Sequence, residues 1–343
     1  MLKRLLDYND GEEMDIVVLI KNSQLRRNKK NKLFLAMQFG DGSGEIRGNF
    51  WDATNQDAAT FSTGTIVELN GKREEYQGRP QIRIYSLRVV GPQEGYELDQ
   101  FVKSAPEPIN DMHAEINQFV NQIQNRTWKT IVQYLLKKWG KRFYDYPAGR
   151  SNHHAVRGGL AFHTLSMLKD AKGLADNYEQ INRSLLYAGC ILHDMGKVLE
   201  LTGPAATQYT TEGNLVGHLV LIDEQIMLAA QDLKIDLESE ALLLLRHMVL
   251  SHHGRYEYGS PKLPALLEAE ILHRIDDMDA MVYAVTNALQ HTGRGTFTEP
   301  LLSKMASVII VQNMIQLWIM LSIWNKKCTK KEVNFKKVNL FFC

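Results

Sequence analysis

The sequence predicts an α+β chain of two domains, a small β-barrel followed by a larger all-α domain. Between about Met14 and Val90, short apolar runs of strand type are separated by turn residues. Beyond Asp111, the apolar residues instead recur at helical spacing almost to the end of the chain. With 343 residues, 44% of them apolar, the chain can bury two separate cores.

Five candidate strands account for the N-terminal domain. They cover residues 14–20, 33–39, 44–51, 65–69 and 81–90. Residues 40–44 carry a glycine-rich hairpin signal, and residues 53–61 fit a short helix between the third and fourth strands. Five strands with this insertion predict an OB-fold barrel within residues 1–90.

A proline-containing stretch without a clear period, residues 91–110, is typical of a surface linker. The helical domain then covers residues 111–298. In it, residues 185–192 predict a helix that ends at His193 with Gly196 as its stop. A second helix is indicated by an apolar stripe that includes His218. The apolar positions of that stripe are Leu215, Leu219, Ile222, Ile226 and Leu233.

The remaining tail, residues 299–343, is apolar and basic. Its segment 308–324 contains Gln312, Asn313 and Gln316 and is short for a membrane span, so it predicts a buried or partner-facing helix. We therefore expect no membrane partner. Exposed apolar helices would permit a homo-oligomer.

Charge and cysteine usage exclude several classes of protein. Lysine plus arginine (40) nearly balances aspartate plus glutamate (39), so any attraction for nucleic acid must be local. Three cysteines without a CxxC spacing support neither a disulfide framework nor a thiolate zinc site. The N-terminus lacks the apolar run of a signal peptide, and we expect a cytoplasmic protein.

Seven histidines and aspartates of the helical domain lie at helix ends or on faces shared with apolar residues. They are His163, His193, Asp194, His218, His252, His253 and Asp276. Imidazole and carboxylate together suit manganese, iron, cobalt or zinc, and one carboxylate, here Asp194, can bridge two ions. One such histidine alone is more often an ordinary core residue. Five further histidines are expected only to face solvent or to orient ligands: His153, His154, His247, His273 and His291.

The motif HDMGK at His193, with His163 before it and Asp276 within DDMD, resembles the HD-domain metal phosphohydrolase superfamily. His218 and the pair at 252–253 resemble its two-metal branch. The resemblance implies a helical core at about residues 160–280 and hydrolysis of a phosphate ester by metal-activated water. Asp194 and Lys197 are the catalytic candidates. Lys197 can neutralise charge on phosphoryl oxygens, or it can be an ordinary helix-end lysine.

Basic and aromatic residues mark two loops and one strand end of the predicted barrel. The nucleic-acid-binding candidates are Arg26, Arg27, Lys29, Lys30 and Lys32 in the first loop, Trp51 on the third strand, and Tyr76 and Arg79 in a loop over residues 73–80. OB-folds hold single strands with these loops and with stacking aromatic side chains. The alternative interpretation is a solvated basic loop and aromatic residues that fill the barrel.

Together, an OB-like barrel, a linker and an HD domain resemble the YhaM-type family of 3′-to-5′ exoribonucleases. The match lies in HHAVRGGLAFHTLSML, AGCILHDMGK, GHLVLIDE, SHHGRYEYGSPKLP and ILHRIDDMDA and covers about residues 1–298. It implies manganese-dependent degradation of single-stranded RNA, with some action on single-stranded DNA. The tail after Thr298 departs from the family pattern.

We therefore expect a metal-dependent enzyme that removes nucleoside 5′-monophosphates from the 3′ end of RNA. Two alternatives remain open at this point. One is an HD phosphohydrolase of free nucleotides or cyclic dinucleotides, with the barrel as a regulatory module. The other is a single-strand-binding replication factor whose metal site is only structural.

Overall fold

The N-terminal domain is a closed five-stranded barrel in the computed structural model, which describes residues 3–150, 154–298 and 309–310. The strands are β1 Glu13–Arg27, β2 Leu33–Asp41, β3 Gly44–Trp51, β4 Ile66–Tyr76 and β5 Arg79–Val89, with helix α1 Asn55–Thr60 between β3 and β4. The order around the barrel is β1-β2-β3-β5-β4, and all pairings are antiparallel except that of β3 with β5. The predicted OB-fold is confirmed.

Two hairpins extend further than the apolar pattern indicates. β1 includes Arg26 and Arg27, so only residues 28–32 form the first loop. β4 and β5 pair as far as Tyr76, which leaves a turn at 77–78 where the sequence predicted a longer loop. That loop prediction is wrong because backbone pairing needs no apolar side chain, so a polar hairpin end gives no alternating signal.

The helical domain follows with nine helices in the described residues. They are α2 Ile109–Gln122, α3 Arg126–Asp145, α4 Gly159–Asn177, α5 Arg183–Leu192, α6 Lys197–Glu200, α7 Thr211–Leu215, α8 His218–Asp232, α9 Glu240–Ser251 and α10 Leu267–Gln290. The expected all-α domain is therefore confirmed.

Helix α5 is the centre of this domain. Every residue from 185 to 192 is buried, because α5 packs against α3, α4 and α9. A helix that is apolar on all sides is stable only in such a position. His193 and Asp194 follow it directly, so the packing of α5 fixes their place.

The stripe predicted around His218 belongs to two helices rather than one. Gly217 has φ of 82°, which separates α7 from α8. Leu215 ends α7 and is 80% exposed, so its assignment to the buried stripe is wrong. Leu219 and Ile222 of α8 are buried as predicted.

Residues 91–110, the expected surface linker, contribute buried side chains. Phe101 and Val102 form a small apolar cluster with Leu19 of β1.

Lys21 Nζ donates a hydrogen bond to the carbonyl of Ala205 at 3.1 Å. The barrel therefore contacts the loop after α6 directly.

Two compact units divide the chain, residues 1–280 and 281–343. In the second, the described residues include the end of α10 and a bridge between Phe297 and Ile310. Within the described ranges, no helix has the length and apolarity needed to cross a membrane. The segment 308–324, for which a helix is predicted, lies outside the described residues except for 309 and 310.

Candidate metal centre

All seven candidate ligands converge in one place, here called the His–Asp cluster. Its members are His163 in α4, His193 and Asp194 directly after α5, His218 at the start of α8, His252 and His253 directly after α9, and Asp276 in α10. Five of them are buried, whereas His253 and Asp276 are partly exposed. Access from solvent is therefore on the side of these two residues.

Asp194 faces two groups of histidines with its two oxygens. Oδ2 lies 3.4 Å from Nε2 of His193 and 3.7 Å from Nε2 of His163. Oδ1 lies 3.3 Å from Nε2 of His218 and 3.8 Å from Nε2 of His252. A carboxylate with one oxygen toward each group has the geometry needed to bridge two ions.

Asp276 and His253 complete the two groups. Asp276 Oδ1 lies 3.3 Å from Nε2 of His163, and with His193 these residues bring three ligand atoms within 4.8 Å of one another. His253 joins the other two histidines of the second group within the same distance. Each group alone therefore offers enough ligands for one ion.

Hydrogen bonds at Nδ1 orient all five histidines. The acceptors are Oδ2 of Asp279 for His163 (2.7 Å), the carbonyl of Cys190 for His193 (2.9 Å), Oε1 of Glu200 for His218 (2.9 Å), the carbonyl of Val249 for His252 (2.7 Å) and the carbonyl of Tyr258 for His253 (2.7 Å). Because each acceptor is an oxygen, each Nδ1 donates a proton. In the neutral form of each ring, the lone pair of Nε2 is then available for a metal.

The Nε2 atoms of His218 and His252 are buried and have no hydrogen-bond partner in the described part of the chain. Burial of an unsatisfied polar atom is costly, so such atoms are rare in folded proteins. A cation between these rings would satisfy both. The chemistry of the donors and their geometry therefore fit a divalent metal.

Electrostatics differ between the two histidine groups of the cluster. Burial lowers the pKa of His163, but hydrogen bonds to Asp276 and Asp279 outweigh it and raise this pKa to about 9. Burial and the neighbouring His218 together lower the pKa of His253 to about 4. His253 is thus neutral at neutral pH and has a free lone pair, while the acids beside His163 attract a cation.

Lys197 is part of the cluster. Its Nζ donates to Asp194 Oδ2 at 2.6 Å, and the residue is buried. Burial lowers the pKa of Lys197, but Asp194 more than reverses this and raises it, so the ammonium stays charged. Burial likewise raises the pKa of Asp194, while Lys197 and His193 bring it well below its usual range. Lys197 lies in the four-residue α6, and its buried ion pair with Asp194 distinguishes it from an ordinary helix-end lysine.

Gly196 has a different role from the one predicted. α5 already ends at Leu192, and Gly196 has φ of −59°, outside the left-handed region of a glycine cap. A Cβ at this position would lie 2.3 Å from the backbone oxygen of His218. The glycine therefore allows the close approach that brings His218 to Asp194.

Two carboxylates of the site were missed by sequence reasoning. Asp279 Oδ2 accepts hydrogen bonds from Nδ1 of His163 and Nε2 of His154, both at 2.7 Å. Glu200 Oε1 accepts from Nδ1 of His218 at 2.9 Å and from its backbone N–H at 3.2 Å. A signal for Asp279 exists, because it follows Asp276 by three residues on α10 and shares its face.

Four of the five histidines that were expected only to face solvent or to orient ligands lie in the described residues. His154 is buried and orients Asp279, and Nδ1 of His273 donates to the carbonyl of His252 at 3.0 Å. His247 and His291 lie outside the cluster, on α9 and just after α10. His153 lies outside the described residues.

The predicted nucleic-acid-binding residues are exposed in two places on the barrel. Arg26, Arg27, Lys29, Lys30 and Lys32 lie at the β1–β2 hairpin with Trp51 nearby at the end of β3, whereas Tyr76 and Arg79 pair with each other at the β4–β5 turn. Arg26, Phe34 and Trp51 are direct neighbours across β1, β2 and β3. The rings of Phe34 and Trp51 stack with centroids 4.9 Å apart, and Trp51 is 52% exposed. Trp51 therefore does not fill the barrel.

Comparison with known proteins agrees with this architecture. A family model described as HD domain matches residues 160–281, and one described as OB-fold nucleic acid binding domain matches residues 16–90. A 3′-5′ exoribonuclease YhaM from Bacillus licheniformis is 44% identical over 299 residues, which cover 87% of this chain and 95% of the relative. The chain belongs to the YhaM 3′-5′ exoribonuclease family.

Other YhaM relatives match over the same shares of both chains, with 44% identity in Listeria innocua and 43% in Bacillus subtilis. As a YhaM family member, the chain is an enzyme with an HD domain. The HD match at 160–281 contains the whole His–Asp cluster. The OB-fold match at 16–90 contains all the predicted nucleic-acid-binding residues.

Proposed function

We propose that this chain is a metal-dependent 3′-to-5′ exoribonuclease that hydrolyses the terminal phosphodiester of single-stranded RNA and releases nucleoside 5′-monophosphates. The observation that carries the proposal is Asp194, whose two oxygens face separate histidine groups beside the buried ammonium of Lys197. Divalent ions at such a centre supply an activated water and counter-charge for the phosphoryl oxygens. The names of the YhaM relatives agree with this reaction.

Two ions share the cluster in this proposal. The first is assigned to His163, His193, Asp194 and Asp276, and the second to Asp194, His218, His252 and His253. We propose manganese as the metal because mixed imidazole and carboxylate ligands suit it. Cobalt, iron and zinc accept the same ligands and are the alternatives.

Lys197 is proposed to act as a fixed positive charge rather than as a base. Its ammonium is held by Asp194 at 2.6 Å, and that contact raises its pKa above the usual value despite burial. A permanent cation at this place orients the shared carboxylate. It also favours the approach of a phosphate to the cluster.

The barrel is proposed to hold the strand by phosphate and base contacts. The basic residues Arg26, Arg27, Lys29, Lys30, Lys32 and Arg79 would attract phosphates, and Trp51 and Tyr76 would stack on bases. Neither kind of contact requires a 2′-hydroxyl group. Single-stranded DNA is therefore a second substrate in this proposal.

The setting of the reaction is part of the proposal. We place it in the cytoplasm, because the proposed substrate is RNA and Cys190 is a buried free thiol. A homo-oligomer is expected from exposed apolar side chains such as Leu243, which is 62% exposed. Light scattering on the purified protein measures that state.

One assay distinguishes the candidate functions. The protein is incubated with Mn²⁺ and either 5′-labelled single-stranded RNA, free nucleotides or a cyclic dinucleotide. Stepwise shortening of the RNA with release of 5′-monophosphates is expected. Cleavage of nucleotides alone would favour the phosphohydrolase alternative, and binding of RNA without turnover would favour the replication-factor alternative.

A further inference from the structure

A cleft of about 500 Å³ lies between the barrel and the helical domain. Asn22 of β1 and Gln38 of β2 line its barrel side, and Ala155, Ala206 and Gln208 line its helical side. The hydrogen bond from Lys21 Nζ to the carbonyl of Ala205 connects the two sides. The cleft is thus part of one compact unit.

Both loops on the helical side are close in sequence to residues that orient ligands of the His–Asp cluster. Ala155 follows His154, which shares Asp279 with His163 through hydrogen bonds of 2.7 Å. The loop at 204–208 begins four residues after Glu200, which orients His218. A molecule in the cleft therefore lies between barrel residues and segments that hold the cluster.

On the barrel side, the cleft opens onto the outer face of β1, β2 and β3. The strand register places outward side chains in three rows, Asn22–Gln38–Arg47–Gln81, then Gln24–Ala36–Asn49–Arg83, then Arg26–Phe34–Trp51. Leu35, Met37 and Ile82 alternate with these residues and are buried inside the barrel. The rows therefore form a continuous outer surface that begins at Gln38 in the cleft.

This surface has the chemistry that a single strand needs. Arg47 and Arg83 are exposed, and neither has an ion pair within the described residues. Trp51, at the far end, is stacked on Phe34 and half-exposed. Exposed guanidinium groups attract phosphates, and an exposed indole stacks on a base of any sequence.

The charge inside the cleft is mixed but leaves basic groups available. Its acids are Asp41, which accepts hydrogen bonds from Ser43 and the N–H of Leu5, and Glu45, which accepts one from Gln38. Lys103 and Arg150 also line the cleft. Both acids are thus engaged with neutral donors, while these two basic side chains can meet phosphates.

We infer that the RNA strand runs along the outer face of the barrel from Trp51 to Gln38 and reaches the His–Asp cluster through this cleft. The inference rests on the proposed function and adds a path and a polarity. The 3′ end lies in the cluster. Gln38 contacts nucleotides nearer to the 3′ end, and Trp51 contacts nucleotides further toward the 5′ end. Arg47 and Trp51 are four residues apart on β3, a span of about 13 Å, or at most about four stacked nucleotides.

Crosslinking tests the polarity directly. A photoreactive amino acid replaces Gln38 or Trp51, and each protein is irradiated with 20-nucleotide RNA in EDTA so that hydrolysis cannot occur. The Gln38 probe should mark nucleotides closer to the 3′ end, and the Trp51 probe nucleotides about two to four positions further toward the 5′ end. The reverse order, or no RNA crosslink at either position, would overturn the inferred path.

A double variant that removes two positive charges tests how much the outer face of the barrel contributes to RNA binding. The variant Arg47→Ala/Arg83→Ala should raise KM for a 20-nucleotide RNA about tenfold or more, lower the salt dependence of binding, and leave hydrolysis of a dinucleotide unchanged. Arg88→Ala is the matched control, since Arg88 is an arginine of the same strand as Arg83 but pairs with Glu68 and Glu94. It should behave like the wild type.

Equal KM values for the double variant and the control would overturn the assignment of the face. If the wild-type protein hydrolyses neither RNA nor the dinucleotide, the proposed function fails. The order of the crosslinks still decides the path in that case, because that experiment requires no turnover.

Discussion

Asp279 holds His163 in place, and replacing it with asparagine should weaken metal binding without removing a metal ligand. Its Oδ2 accepts one hydrogen bond from Nδ1 of His163 and one from Nε2 of His154, each at 2.7 Å. Its side chain is only 9% exposed, so water cannot easily replace it. Loss of such a partner typically lowers metal affinity about 10- to 100-fold, or about 1.4–2.7 kcal/mol.

The assay is calorimetric titration of Mn²⁺ into metal-free protein, followed by kcat at saturating Mn²⁺. Asp279→Asn should bind Mn²⁺ about 10- to 100-fold more weakly and recover much of its kcat when the metal is saturating. Asp223→Asn is a suitable control, because Asp223 has a similarly buried side chain (14% exposed) that pairs with Arg246 of α9 and does not belong to the His–Asp cluster. Equal Mn²⁺ affinity in both variants would refute the role assigned to Asp279.

Three further predictions concern packing, stacking and protonation. Gly196→Ala places a Cβ 2.3 Å from the backbone oxygen of His218 and should lower the free energy of unfolding by about 1–3 kcal/mol in urea titrations. Trp51→Ala should cost about 1–3 kcal/mol of RNA affinity, measured by fluorescence anisotropy, and leave kcat at saturating RNA unchanged. Burial lowers the pKa of His247, whose Nε2 accepts the N–H of Ala265 at 2.9 Å. The folded state thus disfavours protonation of His247. The contribution of the neutral ring to the free energy of unfolding is fully present above the unfolded pKa of about 6.5 and is lost as pH falls below that value. The free energy of unfolding of His247→Gln should therefore depend less on pH than that of the wild type over this range, and equal slopes would contradict the reasoning.

Much of the barrel could be predicted because its strands alternate regularly. β3 has the predicted bounds, since its buried residues alternate with exposed ones and a hairpin signal precedes it. The ends of β1 and β4 could not be predicted in the same way. Their residues, such as Arg26 and Tyr76, are outside the core on both faces, so the sequence has no period there.

The metal ligands could be proposed because their motifs place histidine and aspartate at helix ends beside apolar residues. What orients them was harder to predict. Glu200 becomes a partner of His218 only through the tertiary contact of α6 with α8. Gly196 was assigned to a helix end on local grounds, whereas its real constraint is the backbone of His218, which is distant in sequence. Local sequence patterns therefore identify the ligands, but they do not reveal the tertiary contacts that position those ligands.

The central claim is that the His–Asp cluster hydrolyses the 3′ end of RNA, and Asp194→Asn tests it most directly. Asparagine keeps the shape of the side chain but removes the shared negative charge between the two histidine groups. With Mn²⁺ and 5′-labelled single-stranded RNA, the wild type should shorten the strand stepwise, and the variant should bind it with similar affinity without shortening it. Shortening at the wild-type rate by a variant with a full metal complement would contradict the account.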